Sequence, residues 1–129
     1  MIAPMPQKVG IIGAGVIGDF HAEALNAMPG AELVAAYARR DARAQAFAQA
    51  HGCSAYSDLG QFLAHEGMDV VTVASVSGAH LDHVQAAAQA GKHIICEKPL
   101  EVTTDRIDQM IRICKEAGVM LAGIFPRRF

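Results

Sequence analysis

The chain has 129 residues, of which 52% are hydrophobic, so it can form one compact domain with a sizeable core. Its 11 Lys and Arg and 13 Asp and Glu residues give a formal net charge of −2, which argues against a nucleic-acid partner because such proteins carry a basic excess. No apolar run approaches the roughly 20 residues of a transmembrane helix, and residues 1–6 lack the features of a secretory signal.

Strand-like and helix-like segments alternate along the whole chain. In chain order, the pattern predicts a strand at 8–12, a helix at 17–28, a strand at 32–37, a helix at 42–51, a strand at 55–56, a helix at 58–65, a strand at 70–76, a helix at 80–90, a strand at 93–96, a helix at 104–117 and a strand at 119–125. This alternation predicts an α/β fold in one domain over residues 1–129, with a doubly wound parallel sheet.

A glycine-rich loop joins the first strand to the first helix, which is the context that a dinucleotide-binding fingerprint requires. In that fingerprint Gly13 makes the tight turn, Gly15 allows a pyrophosphate to approach the backbone, and Gly18 lets the helix pack close to the strand. The helix N-terminus offers free N–H groups to the phosphates. The sequence therefore predicts a Rossmann fold whose cofactor contacts include Gly13, Ala14, Gly15, Val16, Ile17 and Gly18.

The end of the second strand bears on the choice of cofactor. An NAD site carries an acidic residue about 20 residues after the glycine loop, and here that position is Ala38, followed by Arg39 and Arg40. Arginine suits a 2′-phosphate, so we predict that these three residues contact the cofactor and that NADP is preferred. NAD stays possible, because the arginines could be ordinary solvated charges and Asp41 could cap the next helix.

Several further motifs resemble one known family. They are the residues Ala38 to Asp41 with Arg43-Ala44, Asp69-Val70-Val71, Ala74-Ser75-Val76-Ser77 with His80, Ala90-Gly91-Lys92-His93, Glu97-Lys98-Pro99 and Arg128-Phe129. Together with the glycine loop, they make the chain similar to the N-terminal domain of the Gfo/Idh/MocA oxidoreductases, named for glucose-fructose oxidoreductase and inositol dehydrogenase. The tripeptide Glu97-Lys98-Pro99 is the most specific of these motifs.

The resemblance implies an oxidoreductase that transfers hydride between a nicotinamide cofactor and a hydroxyl carbon of a sugar, inositol or similar polyol. It implies that Lys98 is catalytic at the reacting hydroxyl, that Glu97 helps to fix the cofactor or the lysine, and that a cis peptide often precedes Pro99. It also implies cofactor contacts from Ser75, Val76, Ser77 and His80. The family usually has Thr-Pro-Asn where this chain has Ser75-Val76-Ser77.

The resemblance also implies a second α/β domain that supplies the substrate pocket and the dimerisation sheet, and no such domain follows Phe129 in this sequence. We expect either a part of a longer, homo-oligomeric dehydrogenase or a free-standing dinucleotide-binding module. In both cases the chain alone should bind cofactor and turn over little substrate. A third alternative is an S-adenosylmethionine-dependent methyltransferase, which would usually need a carboxylate at the position of Ala38.

The remaining histidines and cysteines suggest no further site. His80 and His83 lie three residues apart on a predicted helix, but no clear third ligand completes a metal site, so none is predicted. The odd number and wide spacing of Cys53, Cys96 and Cys114 indicate free thiols in a cytoplasmic protein. The other histidines are predicted to be surface or packing residues: His21, His51, His65 and His93.

Overall fold

The computed structural model describes residues 4–127, so the resemblance at Arg128 and Phe129 lies outside the described residues. Its elements are β1 (Gln7–Ile12), α1 (Val16–Ala27), β2 (Ala31–Tyr37), α2 (Asp41–His51), β3 (Ser54–Tyr56), α3 (Leu59–Leu63), β4 (Val70–Val73), α4 (His80–Gln89), β5 (His93–Cys96), α5 (Thr104–Ala117) and β6 (Leu121–Gly123). The strands form one parallel sheet in the order β3-β2-β1-β4-β5-β6, which confirms the predicted doubly wound Rossmann fold.

The sheet is covered by helices on both faces, and each face has its own apolar cluster. Alternation along β1 sends Val9 and Ile11 to one face, where they meet Ala22 and Leu25 of α1. Ile12 points to the other face. There the larger cluster includes Phe62 and Leu63 of α3, Val84 and Ala87 of α4, and Met110 and Cys114 of α5.

The position of the site follows from the strand order. The chain runs from β1 outward to β2 and β3, and then returns to β4 on the opposite side of β1 before continuing to β5 and β6. This makes the neighbouring carboxyl ends of β1 and β4 the topological switch point, where open α/β sheets bind their ligands. Both the glycine loop and the segment after β4 leave the sheet at this edge.

Three predicted elements differ from the structure by two or more residues at one end at least, and the others agree to within one residue. β4 ends at Val73 rather than at Val76, because its neighbours end there: Val73 pairs with Ile12 on one side and with Cys96 on the other. A short 3₁₀ turn then leads into α4. The apolar residues that follow Val73 therefore belong to a loop, although their composition suits a strand.

The helix predicted at 58–65 and the strand predicted at 119–125 are also shorter than expected. In α3, Asp58 is the N-cap, accepting a hydrogen bond from the backbone N–H of Gln61, and the helix ends at Leu63. β6 is an edge strand with only β5 beside it, and three of its residues pair. Within residues 4–127, no helix has both the length and the apolar composition that crossing a membrane requires.

Candidate functional site

A cavity of about 600 Å³ opens at the carboxyl ends of β1, β2 and β4. Its walls come from three segments of the chain that are distant in sequence. They are residues 12–15 of the glycine loop, residues 37–39 with Arg43 after β2, and residues 74–76 with Ala79, Asp82 and His83 around the start of α4. The cavity thus lies at the switch point of the sheet.

The glycines of the loop meet different surroundings. Gly13 has a φ of +114°, and a Cβ there would lie 2.7 Å from the backbone of Ala74, so the ends of β1 and β4 could not come as close with a larger residue. At Gly18, a Cβ would collide with the carbonyl oxygen of Gly13. At Gly15, an added Cβ meets no atom within 4 Å. The space over Gly15 is therefore open for a ligand.

The start of α1 provides donors beside that open space. Gly15 is the N-cap of this 12-residue helix, with extended backbone and no side-chain cap. The first N–H groups of a helix have no partner inside it, and they carry the positive end of the helix dipole. The loop and helix start therefore fit the pyrophosphate of a dinucleotide, which needs close backbone approach and anion-binding donors.

The segment after β2 brings two arginines to the cavity. Ala38 and Arg39 follow β2 directly, Arg43 lies in the first turn of α2, and all three line the cavity. The backbone N–H of Gly13 donates to the carbonyl of Tyr37 over 3.0 Å, which attaches this wall to the glycine loop. Arg40 is the exposed N-cap residue of α2 and does not line the cavity.

The wall formed by α4 carries a histidine with a defined partner. Nδ1 of His83 lies 2.7 Å from the hydroxyl oxygen of Ser75, and its ring packs edge-on against Tyr37 with 6.1 Å between ring centroids. Burial lowers the pKa of His83; the charge of Asp82 raises it, and those of His80 and Arg39 lower it. At neutral pH the ring is therefore mainly uncharged.

Glu97, Lys98 and Pro99 follow β5 at the same sheet edge. The carboxylate of Glu97 lies 3.0 Å from Nε2 of His21 on α1, and it accepts the backbone N–H of Lys98 over 2.9 Å. Lys98 is exposed, and the peptide between Lys98 and Pro99 is cis, as the resemblance implied. Glu97 thus attaches the segment after β5 to α1, the helix that follows the glycine loop.

His80 is buried behind these loops, with only 1% of its surface exposed. Its Nε2 lies 2.9 Å from the carbonyl oxygen of Ser75, and its Nδ1 lies 3.0 Å and 3.1 Å from those of Pro99 and Leu100. The ring therefore joins the loop after β4 to the loop after β5. It does not line the cavity, so any effect on a ligand acts through these two loops.

Comparison with known proteins agrees with this architecture. A family model described as an oxidoreductase family with an NAD-binding Rossmann fold, that of the Gfo/Idh/MocA proteins, matches residues 7–125. The chain belongs to the Gfo/Idh/MocA family. This membership confirms the resemblance drawn from the motifs. The cavity lies at the switch point of the sheet, where Rossmann domains bind their dinucleotide.

The relatives of this Gfo/Idh/MocA domain are much longer than it is. The myo-inositol 2-dehydrogenase of Thermotoga maritima is 37% identical over 124 residues, which cover 95% of this chain and 37% of that protein. The WlbA dehydrogenase from Bordetella pertussis, solved with NADH and UDP-GlcNAcA, superposes with a TM-score of 0.89 at 31% identity over 96% of this chain and 36% of its own. A 3-ketoreductase from Actinomadura kijaniata, solved with NADP, superposes with a TM-score of 0.86 at 29% identity. The match covers 92% of this chain and 38% of the reductase.

The structure brings only some of the predicted site residues of the Gfo/Idh/MocA domain to the cavity. Those that line it are Gly13, Ala14, Gly15, Ala38, Arg39, Ser75 and Val76. Those that do not line it are Val16, Ile17, Gly18, Arg40, Ser77, His80, Glu97 and Lys98. Val16 and Ile17 are exposed at the start of α1, and Gly18 is buried against the loop, where its role is packing.

Sequence reasoning missed four of the polar residues that line the cavity, and it also missed the contact between His21 and Glu97. Arg43 and His83 line the cavity, and the motif Arg43-Ala44, on which the resemblance partly rests, was a signal that could have found the first. Asp82 and Tyr37 line it as well. His21 was expected to be a surface or packing residue, but it bonds Glu97; no local pattern indicates this pair, because 76 positions separate the two residues.

The thiols offer no further chemistry at neutral pH. Burial raises the pKa of Cys53 to about 11 and that of Cys96 to about 12, so both stay protonated. All three cysteines are free. In the part of the chain that the structure describes, no three His, Cys, Asp or Glu side chains come together in a way that could hold a metal ion.

Proposed function

We propose that this chain binds NADP in preference to NAD. The observation that carries the proposal is the cavity itself, where the open space over Gly15 shares one enclosure with Arg39 and Arg43. A 2′-phosphate needs charge-assisted donors and no carboxylate beside it, and Ala38 leaves that position free of negative charge. Asp82, the acidic residue that lines the cavity, belongs to α4 and not to the segment after β2.

The wider proposal concerns the whole protein, since this chain spans little more than a third of its relatives. We propose an oxidoreductase that acts on a hydroxyl carbon of a sugar, inositol or related polyol. The relatives named above support this class. One is named as a dehydrogenase of myo-inositol, one is a dehydrogenase solved with the nucleotide sugar UDP-GlcNAcA, and one is named as a 3-ketoreductase. The dinucleotide, when bound, supplies the acceptor or donor of hydride.

In this proposal the remaining chemistry belongs to side chains of the chain. Lys98 hydrogen-bonds the reacting oxygen and moves its proton, a role for which an amine close to a ligand is suited. Glu97 orients the lysine segment through the N–H of Lys98 and through His21. Ser75, Val76 and Ser77 contact the nicotinamide ribose. We also propose that the protein is cytoplasmic. We further propose that the whole protein forms a homo-oligomer, and that its subunits contact one another through the region that the relatives have and this chain does not span.

The cofactor preference can be tested by titrating the chain with NADPH and NADH in a calorimeter. We expect NADPH to bind more tightly. Arg39→Ala and Arg43→Ala should each weaken NADPH binding by roughly 10- to 100-fold and leave NADH binding almost unchanged, because hydrogen bonds to a charged group contribute about 1.5–3 kcal/mol. Arg112→Ala removes an exposed arginine from α5 and is the matched control.

Two results would contradict the preference. NADH could bind as tightly as NADPH, in which case the two arginines are solvated charges. Alternatively, the selectivity could be lost only in Arg40→Ala, which would move the contact to a residue outside the cavity lining.

A further inference from the structure

The loop after β4 and the loop after β5 are held together by one buried side chain. A carbonyl oxygen can only accept a hydrogen bond, so each contact of His80 needs a proton on the ring nitrogen that makes it. A proton on Nε2 bonds the ring to Ser75, and a proton on Nδ1 bonds it to Pro99 and Leu100. A ring with both nitrogens protonated donates to both loops at once, whereas a ring with one proton donates to one loop and packs against the carbonyl oxygens of the other.

The two loops carry different parts of the site. Ser75 lines the cavity with its neighbour Val76, whereas Pro99 is the residue directly after Lys98. The distance between them therefore sets how far Lys98 stands from a ligand in the cavity. A displacement of about 1 Å in such a group can reduce a rate by roughly 100-fold, so a rigid connection here has a chemical consequence.

We infer that His80 is a positioning residue: its buried ring lies within hydrogen-bond distance of backbone carbonyls in both loops, and by filling this place it holds Lys98 at a fixed distance from the nicotinamide end of the cofactor site. This inference rests on the proposed function, because it assumes that the cavity binds a nicotinamide dinucleotide. It assigns no contact between His80 and the ligand, since the ring is buried and outside the cavity lining.

A second set of hydrogen bonds attaches the loop after β5 to the start of α4 at Glu101. This attachment does not involve the His80 side chain, so we expect it to remain in variants of His80. The carboxylate of Glu101 accepts the backbone N–H of Leu81 over 2.8 Å, and Arg106 donates both to Glu101 and to the carbonyl of Gly78, each over 3.2 Å. His80 is the connection nearer to Lys98. Its loss should therefore loosen the lysine segment while the end at Glu101 stays attached.

The test uses three variants of the 129-residue chain and two ligands. His80→Asn keeps a donor near the position of Nδ1, His80→Gln keeps one near Nε2, and His80→Leu keeps neither. Each is titrated with NADPH and with adenosine 2′,5′-bisphosphate, which lacks the nicotinamide half. If the wild type prefers NADH, NADH and 5′-AMP take their places.

We expect His80→Leu to weaken NADPH binding by roughly tenfold and to change the half-ligand less than twofold, because a hydrogen bond is typically worth about a factor of ten. The Asn and Gln variants should each recover part of the loss. His93→Gln is the matched control, because His93 lies at the opposite end of β5 and bonds the backbone N–H of Met120. If His80→Leu fails to fold, the other two variants carry the comparison.

The outcomes separate the inference from the proposed function. If the wild type binds neither ligand, the proposed function is wrong. If the wild type binds both and His80→Leu binds NADPH equally well, the positioning role is overturned. Equal losses for NADPH and the half-ligand would show that His80 only supports the fold, and no recovery in either the Asn or the Gln variant would show that the hydrogen bonds do not matter.

Discussion

At the scale of single residues, the three glycines of the loop obey different physical constraints, although the motif treats them alike. Gly13 adopts a backbone conformation that other residues rarely reach, and Gly18 has no room for a side chain. Gly15 has room for one, and its φ of −99° is open to any residue. The motif therefore combines two requirements of folding with one of ligand binding.

This difference predicts opposite effects for two alanine substitutions. Gly18→Ala should lower the free energy of unfolding by about 1–3 kcal/mol, because the new methyl group collides with the carbonyl of Gly13. Gly15→Ala should cost less than about 1 kcal/mol, the usual difference between glycine and alanine at an N-cap, but should abolish most NADPH binding. Urea denaturation and NADPH titration of both variants check this. A normal NADPH affinity in Gly15→Ala would count against the phosphate contact.

At the scale of elements, the loop between β5 and α5 is attached to the start of α4 through a buried carboxylate. Glu101 is only 4% exposed, and it accepts the N–H groups of Leu81 and Val102 and a bond from Arg106. Burial by itself would raise the pKa of Glu101, but these hydrogen bonds and the charge of Arg106 lower it further than burial raises it. Folding therefore favours the ionised form.

A carboxyl group whose pKa is lower in the folded state contributes stability above its unfolded pKa of about 4.3, and that stability is lost as the pH falls through the folded pKa. Glu101→Gln should therefore reduce the free energy of unfolding at pH 7 by about 1–3 kcal/mol, and the deficit should shrink as the pH approaches 3. Urea denaturation at both pH values measures it, with Glu116→Gln on the exposed side of α5 as control. A deficit that does not change with pH would exclude this linkage.

At the scale of the whole molecule, the chain is a folded dinucleotide-binding unit with helices on both faces of its sheet. The cavity at the switch point is formed by loops of both halves of the sheet, so a ligand there bridges the two halves. Such a ligand binds the folded chain and not the unfolded one, and it must raise the stability of the whole domain.

We therefore expect NADPH at a concentration of 100 times its dissociation constant to raise the free energy of unfolding by about 2.7 kcal/mol. S-adenosylmethionine at the same concentration should have no effect, because the segment after β2 offers Ala38 instead of a carboxylate for its ribose. Thermal denaturation with each ligand makes the comparison. Stabilisation by S-adenosylmethionine alone would favour the methyltransferase alternative.

The 129-residue chain by itself should reduce little or no NADP in the presence of inositols or sugars. This follows from the expectation that the residues recognising the polyol lie in the part of the relatives that this chain does not span. Absorbance at the wavelength of NADPH measures the reaction. Sustained polyol-dependent reduction by the 129-residue chain would overturn that expectation.

Local pattern was sufficient for most of the fold. The bounds of β5 and α5 agree with the structure, because the apolar run that forms β5 lies between glycine and polar residues and α5 ends at a glycine in the left-handed conformation. The end of β4 could not be predicted in the same way. The sequence pattern continues the strand through residues 74–76, but β1 and β5 pair with β4 only as far as Val73.

By itself, the sequence determined the fold class, the glycine loop and the family, because each of these depends on residues close together in the chain. It also pointed to Arg39, which lines the cavity, and to Arg40, which does not. Tertiary structure alone decided that Arg43 and His83 share the cavity, that His21 bonds Glu97, and that His80 lies outside the cavity lining, between two loops. These contacts join loops from different strands. Their geometry depends on where the sheet brings the strand ends, and no spacing along the chain records it.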